Sequence, residues 1–277
     1  MENPVDRLNF SWLSAFKETG ARVRSEMDEL FKGKGYGKPL GKGAGGDTTL
    51  VLDRKAEDAI LETLEKLYAD GEQFTFISEE LGERRFGRED AVILADPIDG
   101  SNNAKYGIPF FSTALVMAKG RKLSDVTLGY IINLSNGDEF WAIKGAGAFK
   151  NGIRITTSDR TELGMVNMEA ASPKRDIQKA IPLLSCARKV RCLGSTALDL
   201  ACLAAGATDA LIVPSASRSF DFSAGWLIAK EAGGLLTDLS GNQLDDIPLG
   251  LERTTPFVGA SNKTVLEKVL KAFGGCS

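Results

Sequence analysis

The stretch Ala91-Val-Ile-Leu-Ala-Asp-Pro-Ile-Asp-Gly-Ser101 most limits what this chain can become. Five apolar residues in a row, Ala91 to Ala95, predict a buried strand. Asp96-Pro97 and Asp99-Gly100 then break the run with turn chemistry. Two carboxylates at the mouth of a buried strand repel each other. At about 4 Å and an effective dielectric of about 20, that repulsion is roughly 4 kcal/mol. A bound cation removes it. These residues therefore carry two readings: a hard-metal site built from Asp96, the Ile98 carbonyl and Asp99, or a strand-to-helix turn with Ser101 as the helix N-cap.

Composition narrows the chemistry. The 277 residues include no histidine, which excludes a histidine general base, histidine-ligated zinc and a Ser-His-Asp triad. Any metal must be held by oxygen, which points to Mg²⁺, Mn²⁺ or Ca²⁺. A net charge of −3 argues against a nucleic-acid or membrane-surface partner. No apolar run reaches the roughly 18 residues of a membrane span, and the N-terminus lacks the pattern of a signal peptide. Cys186, Cys192, Cys202 and Cys276 have no CxxC spacing and are expected as buried or incidental thiols in a reducing cytoplasm.

Along the chain, Val5, Leu8, Trp12, Phe16, Val23, Met27 and Leu30 recur at helical spacing and predict one amphipathic helix over 4–32. Residues 33–46 are half glycine but lack GxxxxGK[ST]; they predict either a flexible lysine-bearing flap or a solvated linker. A helix over 52–68 follows, then a strand over 74–77 that ends at Ser78-Glu79-Glu80. Strands are expected over 111–118, 126–134 and 139–143, the last two joined at Asn136-Gly137. Residues 1–157 thus read as two helices against a largely antiparallel sheet. Over 158–277 strands (166–170, 190–193, 209–213, 235–237, 257–260) alternate with helices (176–188, 196–205, 221–232, 261–273), as in an α/β layer.

The acids at element ends then fall into an order: Asp47 after the flap, Glu79, Asp96 with Asp99, and Asp221 at a helix start. Asp221 alone reads as an N-cap. Together the five resemble the inositol monophosphatase family of Mg²⁺-dependent, lithium-sensitive sugar phosphatases. Asp96-Pro-Ile-Asp-Gly-Ser101 matches that family's DP[IL]DG[ST] motif. Phe220-Asp-Phe-Ser-Ala-Gly225 resembles its WDxAxG motif with Phe for Trp, Ser78-Glu79-Glu80 its GEE element, and Gly46-Asp47 through Asp53 its GD…D element. Gly145–Ala148, Asn151-Gly152 and Glu231–Gly234 also fit, so the resemblance spans nearly the whole chain. Gly46-Asp-Thr-Thr49, Ser78–Gly82, Gly107–Phe111 and Arg218 are most similar to an archaeal branch, many of whose members act on both inositol monophosphate and fructose 1,6-bisphosphate. Pro214 stands where many inositol-preferring relatives carry an acid, which speaks against a strict inositol phosphatase.

The resemblance implies an α+β or α/β fold layered α-β-α-β-α, antiparallel in the first sheet and mixed in the second. It implies hydrolysis of a sugar or polyol phosphate by in-line attack of an activated water. Carried over residue by residue, Glu79, Asp96 and the Ile98 carbonyl hold one Mg²⁺. Asp96, Asp99 and Asp221 hold a second, with Mn²⁺ as a substitute. A third, weaker ion falls to Glu79 and Asp47. Asp47, with Thr48 or Ser101, orients the water, while Asp99, Gly100 and Ser101 face the phosphate. Gly194 and Ser195 match a sugar-contacting turn, although an N-cap accounts equally for Ser195. Lys174, Arg175, Arg191 and Arg218 are candidates for a distal phosphate, with solvated loop charge as the plain reading of the first two. Inhibition by Li⁺, a homodimer and a cytoplasmic location are further expectations. The alternatives are a phosphatase of adenosine 3′,5′-bisphosphate or NADP, and a non-catalytic regulatory or RNA-associated member of the family.

Overall fold

In the computed structural model, residues 4–87 and 91–274 are described, with side chains over 11–87 and 91–273. The first half runs α1 (Pro4–Phe31), β1 (Pro39–Lys42), β2 (Thr48–Leu50), α2 (Val51–Ala69), β3 (Phe74–Ser78), β4 (Gly82–Phe86), β5 (Val92–Asp99), α3 (Ser101–Tyr106), β6 (Ser112–Ala118), β7 (Val126–Asn133), β8 (Glu139–Ile143), β9 (Gly147–Lys150) and β10 (Ile153–Ile155). The second runs β11 (Met165–Met168), α4 (Pro173–Leu184), β12 (Lys189–Arg191), α5 (Thr196–Ala204), β13 (Ala210–Val213), α6 (Ser219–Glu231), β14 (Leu235–Asp238), β15 (Phe257–Ala260) and α7 (Lys263–Gly274). Among the described residues, no helix is long and apolar enough to cross a membrane.

Side-chain alternation sorts these elements into layers. Ile93 and Ala95 of β5 join a core with Trp12 and Phe16 of α1 and Ile60 of α2, while Val92 and Leu94 point the other way, toward Leu200 of α5 and Leu227 of α6. Leu211 and Val213 of β13 reach that same middle layer from the opposite side, and Ala210 and Ile212 pack with Leu183 of α4 and Val265 of α7. The order is therefore helices, sheet, helices, sheet, helices, the expected α-β-α-β-α sandwich. The first sheet is β10-β9-β8-β7-β6-β5-β3-β4, antiparallel except for the β3–β5 pair. The second, β12-β11-β13-β15-β14, is mixed: β11 is parallel to both neighbours and the β15 pairs are antiparallel.

Four local differences matter for function. β5 does not stop at Ala95 but continues to Asp99, with a register shift between Asp96 and Asp99 that marks a bulge. Both acids thus belong to the strand, and Pro97 sits at the bulge, where a missing N–H costs no ladder bond. β4 escaped the sequence reading because Glu83, Arg84 and Arg85 give it the charged look of an edge strand. The glycine-rich segment is a docked flap. Gly45 N–H donates to Glu79 O at 2.7 Å and Ala44 N–H to Glu80 O at 3.1 Å. A Cβ on Gly45 would sit 3.1 Å from the Glu79 side chain, so glycine permits that approach. Asp221 lies within the first turn of α6, and Arg218 is its N-cap residue. Cys186, Cys192 and Cys202 are free thiols; Cys276 and the side chains of Val5 and Leu8 lie outside the described residues.

Candidate active site

The C-terminal ends of β3, β5 and β11 and the start of α6 open into one cleft of about 1190 Å³. Its lining includes Asp47, Glu79, Asp96, Ile98, Asp99 and Asp221. Each acid is delivered by a different local device. β3 ends at Ser78 and hands over Glu79. The β5 bulge sets Asp96 and Asp99, and Thr113 Oγ1 fixes it by donating to Pro97 O at 2.7 Å. Asp99 meets the start of α5: its Oδ2 accepts from Ala197 N at 2.8 Å and from the Ser195 hydroxyl. Asp221 Oδ2 accepts from Arg218 N at 2.9 Å. Helix N-terminal amides thus hold one oxygen of each of these two carboxylates. Gly100 has φ 90°, and a Cβ there would lie 3.0 Å from Gly194 O, so glycine at 100 permits the close approach of the turns after β5 and before α5.

Burial and mutual repulsion govern the electrostatics. Burial, then the charges of Glu79, Asp99 and Asp221, push the Asp96 carboxyl well above the usual range. Burial and Asp221 do the same to Glu79. Burial raises Asp99 to about 6 against its bonds from Ser195 and Ala197, and raises Asp221 to about 7 against its bond from Arg218 N. Asp96 is 3% exposed, and its Oδ1 has no partner among the described residues. A buried, unpartnered carboxylate oxygen among three further acids is the donor chemistry a hard divalent cation requires. As the side chains stand, no three His, Cys, Asp or Glu groups among the described residues close around one point. Asp221 Oδ1 nevertheless stays outside its helix-end bond, and with the unpartnered Asp96 Oδ1 the donor chemistry fits a hard cation.

These shifts set a test of stability. A carboxyl whose pKa is higher folded than unfolded contributes fully below the unfolded value of 3.8 and loses that contribution as pH rises through about 6 for Asp99 and about 7 for Asp221. With a chelator present, the melting temperature should fall between about pH 5 and about pH 8. A flat or rising curve by calorimetry would contradict the repulsion described here.

The cleft also re-sorts the residues singled out from sequence. Thr48, Gly100, Ser101, Arg175, Gly194 and Arg218 line it. Ser195 is buried at 1% exposure as the N-cap of α5 and partner of Asp99, so the cap reading holds and no surface is left for a sugar. Arg191 is exposed on β12, the outer strand of its sheet, and Lys174 sits in a separate shallow groove. Ser101 Oγ lies 2.8 Å from Asp53 Oδ1 and from Ile98 O, whereas Asp47 pairs with Arg218 at 2.7 Å. Sequence reasoning assigned no role to Asp53, Glu169, Lys105, Lys179 or Arg253, all of which line the cleft. Signals existed for three: Asp53 closes the Gly46-Asp47…Asp53 spacing, Glu169 follows a strand as Glu79 does, and Lys179 is one helical turn after Arg175.

Comparison with known proteins places this geometry in a family. The profile of the inositol monophosphatase family matches residues 7–276. A fructose-1,6-bisphosphatase/inositol-1-monophosphatase of Archaeoglobus fulgidus is 37% identical over 229 residues, covering 82% of this chain and 84% of that one. A bifunctional NADP phosphatase/NAD kinase of Methanococcus maripaludis is 31% identical over 254 residues, 84% of this chain and 44% of its own length. Among solved structures, the extragenic suppressor protein suhB of Bartonella henselae superimposes with a TM-score of 0.81 at 26% identity, covering 95% of this chain and 98% of that one. With its motifs in order, its layers in place and nearly its whole length matched, the chain belongs to the inositol monophosphatase family.

Proposed function

We propose that the chain is a Mg²⁺-dependent phosphomonoesterase for small sugar or polyol phosphates, with fructose 1,6-bisphosphate as the preferred class. The observation that carries this reading is the unpartnered Asp96 oxygen among buried acids on the floor of a cleft lined also by Lys105, Arg175, Lys179 and Arg253. Acids alone would repel a phosphate; cations on the floor and basic residues beside them would receive one. Glu79, Asp96 and the Ile98 carbonyl would hold one Mg²⁺, and Asp96, Asp99 and Asp221 a second, with Mn²⁺ as a substitute. Bound there, the cations supply positive charge to the phosphoryl group and its leaving oxygen and acidify water. Gly100 and Ser101 line the cleft beside Asp99 and take the phosphate oxygens. The Ser101 hydroxyl donates to Asp53 at 2.8 Å, which leaves its lone pairs to accept from the attacking water. Asp53 then serves as the base behind the hydroxyl. Inhibition by Li⁺ and a dimeric, cytoplasmic enzyme accompany this reading.

Arg175 and Lys179 would bind the distal phosphate. Arg175 Nη2 donates to Ser215 Oγ at 2.7 Å, which steadies the fork at the cleft wall. Steady-state kinetics on fructose 1,6-bisphosphate and inositol 1-phosphate test the role. Arg175→Ala should raise KM for the bisphosphate about 10- to 100-fold, the worth of one charge-assisted hydrogen bond. KM for inositol 1-phosphate should stay within about twofold. Equal losses on both substrates would remove Arg175 from substrate choice. A second reading, hydrolysis of NADP, is favoured by the cleft volume of about 1190 Å³, which exceeds the need of a hexose bisphosphate, and by the named activity of the Methanococcus relative. NADP and adenosine 3′,5′-bisphosphate in the same assay separate the two.

A further inference from the structure

Arg218 is a cation buried at 5% exposure, and its environment is unlike that of a substrate-binding arginine. Its Nη1 is 2.7 Å from Asp47 Oδ2 and 3.8 Å from Glu79 Oε1. Its Nη2 donates to Gly45 O. Its main-chain N–H holds Asp221. Both terminal guanidinium nitrogens are therefore engaged, one by an acid and one by the flap backbone. Asp47 itself is 60% exposed and has a second, looser cation in Arg253 Nη2 at 3.6 Å. An exposed aspartate has little need of a partner, but a buried guanidinium does. The pairing is arranged around Arg218.

Asp47 and Glu79 are also the two acids that the family resemblance assigns to a third, weak Mg²⁺. A guanidinium already lies within 3.8 Å of both. A dication set between the same acids would stand against that fixed positive charge, in a partly dry site where like charges repel strongly. We propose that the Arg218 guanidinium takes the third cation position, so that the chain binds two divalent ions and Arg218 is a positioning residue that neutralises Asp47 and Glu79 while clasping the flap to α6. This rests on the two-ion reading, in which Glu79 turns to the first ion with Asp96 and the Ile98 carbonyl, and Asp96, Asp99 and Asp221 hold the second. It replaces the sequence expectation that Arg218 grips a distal phosphate.

The test counts bound Mn²⁺ by electron paramagnetic resonance of the free ion, with melting temperature recorded for each variant. The wild-type chain should bind two Mn²⁺. Asp47→Ala should still bind two, with dissociation constants unchanged within about twofold, because Asp47 serves the guanidinium and not an ion. Arg218→Met should gain a third, weaker Mn²⁺, and Arg218→Lys should return the count to two. A purely structural tether would move the melting temperature of Arg218→Met and leave its count at two, which overturns the proposal. So does a wild-type count of three, or loss of one ion in Asp47→Ala. Should Arg218→Met not fold, the wild-type and Asp47→Ala counts still decide. A wild-type count of zero overturns the cation reading itself, an outcome distinct from all of these.

Discussion

Asn in place of Asp96 should lower phosphate release about 10³-fold or more from every substrate, and should also make the metal-free protein more stable. Both effects have one source. Asp96 is the acid assigned to both ions, and losing a shared ligand removes several kcal/mol of charge stabilisation at the transition state, at about 1.4 kcal/mol per factor of ten. Without ions, the same carboxyl is buried, repelled by Glu79, Asp99 and Asp221, and has an oxygen with no partner among the described residues. A neutral amide ends the repulsion, and its N–H₂ finds acceptors among the neighbouring carboxylates. For a chain of this size about 1 kcal/mol moves the melting temperature by roughly 2–4 °C, so a rise of that order is expected in chelator near pH 8. It should shrink near pH 5, where the native carboxyls already hold protons. Calorimetry and a phosphate-release assay on the same preparation check both arms. Wild-type turnover would remove Asp96 from the reaction, and a lower chelated melting temperature would mean that its negative charge helps hold the fold. The pattern expected is that of a site whose function costs stability.

How much of this was legible in the sequence follows from how local each signal is. The uninterrupted run Ala91–Ala95 announced a strand buried on both faces, and Ile93 and Leu94 do face different cores. The acids of Asp96-Pro-Ile-Asp99 and the turn at Gly100 are consecutive, so their grouping needed no tertiary information. The order of the motifs supplied the layers. What stayed hidden depends on long-range contacts. Nothing around Arg218 indicates that its guanidinium meets Asp47, 171 residues away, or that a glycine-rich flap docks on Glu79 and Glu80. Arg191 looked like a cleft residue because it ends a strand, but that strand is the sheet's outer one. Asp53 closes the Gly46-Asp47…Asp53 motif but shows no chemical role in the sequence, because it resembles ordinary helix-start chemistry: at the third position of α2 it accepts from Leu50 N at 2.7 Å, as a capping acid does. Its other oxygen, facing Ser101, is visible only in three dimensions.

That second oxygen decides which aspartate prepares the water. Sequence reasoning favoured Asp47 with Thr48 or Ser101, and the Ser101 hydroxyl instead lies 2.8 Å from Asp53 Oδ1. Asp53→Asn should therefore lower kcat about 10²- to 10⁴-fold, the usual range for a lost general base, with Mn²⁺ binding intact. The fold should survive, because the amide oxygen of Asn can still accept from Leu50 N. Ser101→Ala should cost a similar factor, and the double variant little more than either, because the two groups act as one unit. Burial raises the Asp53 carboxyl to about 6, and only its ionised form can take a proton from the hydroxyl. The wild-type kcat should therefore rise with pH through about 6, and that limb should vanish in Asp53→Asn. Asp47→Asn bears on a different contact: it loosens the Arg218 ion pair and leaves the Ser101–Asp53 pair in place, so its effect should fall on the melting temperature, with Mn²⁺ affinity unchanged within about twofold and the pH limb persisting. A larger kcat loss in Asp47→Asn than in Asp53→Asn, or an acid limb that survives Asp53→Asn, would return the base to Asp47. The geometry opposes that outcome, because the Asp47 carboxylate is engaged by the Arg218 guanidinium at 2.7 Å, whereas the Ser101 hydroxyl lies 2.8 Å from Asp53 Oδ1.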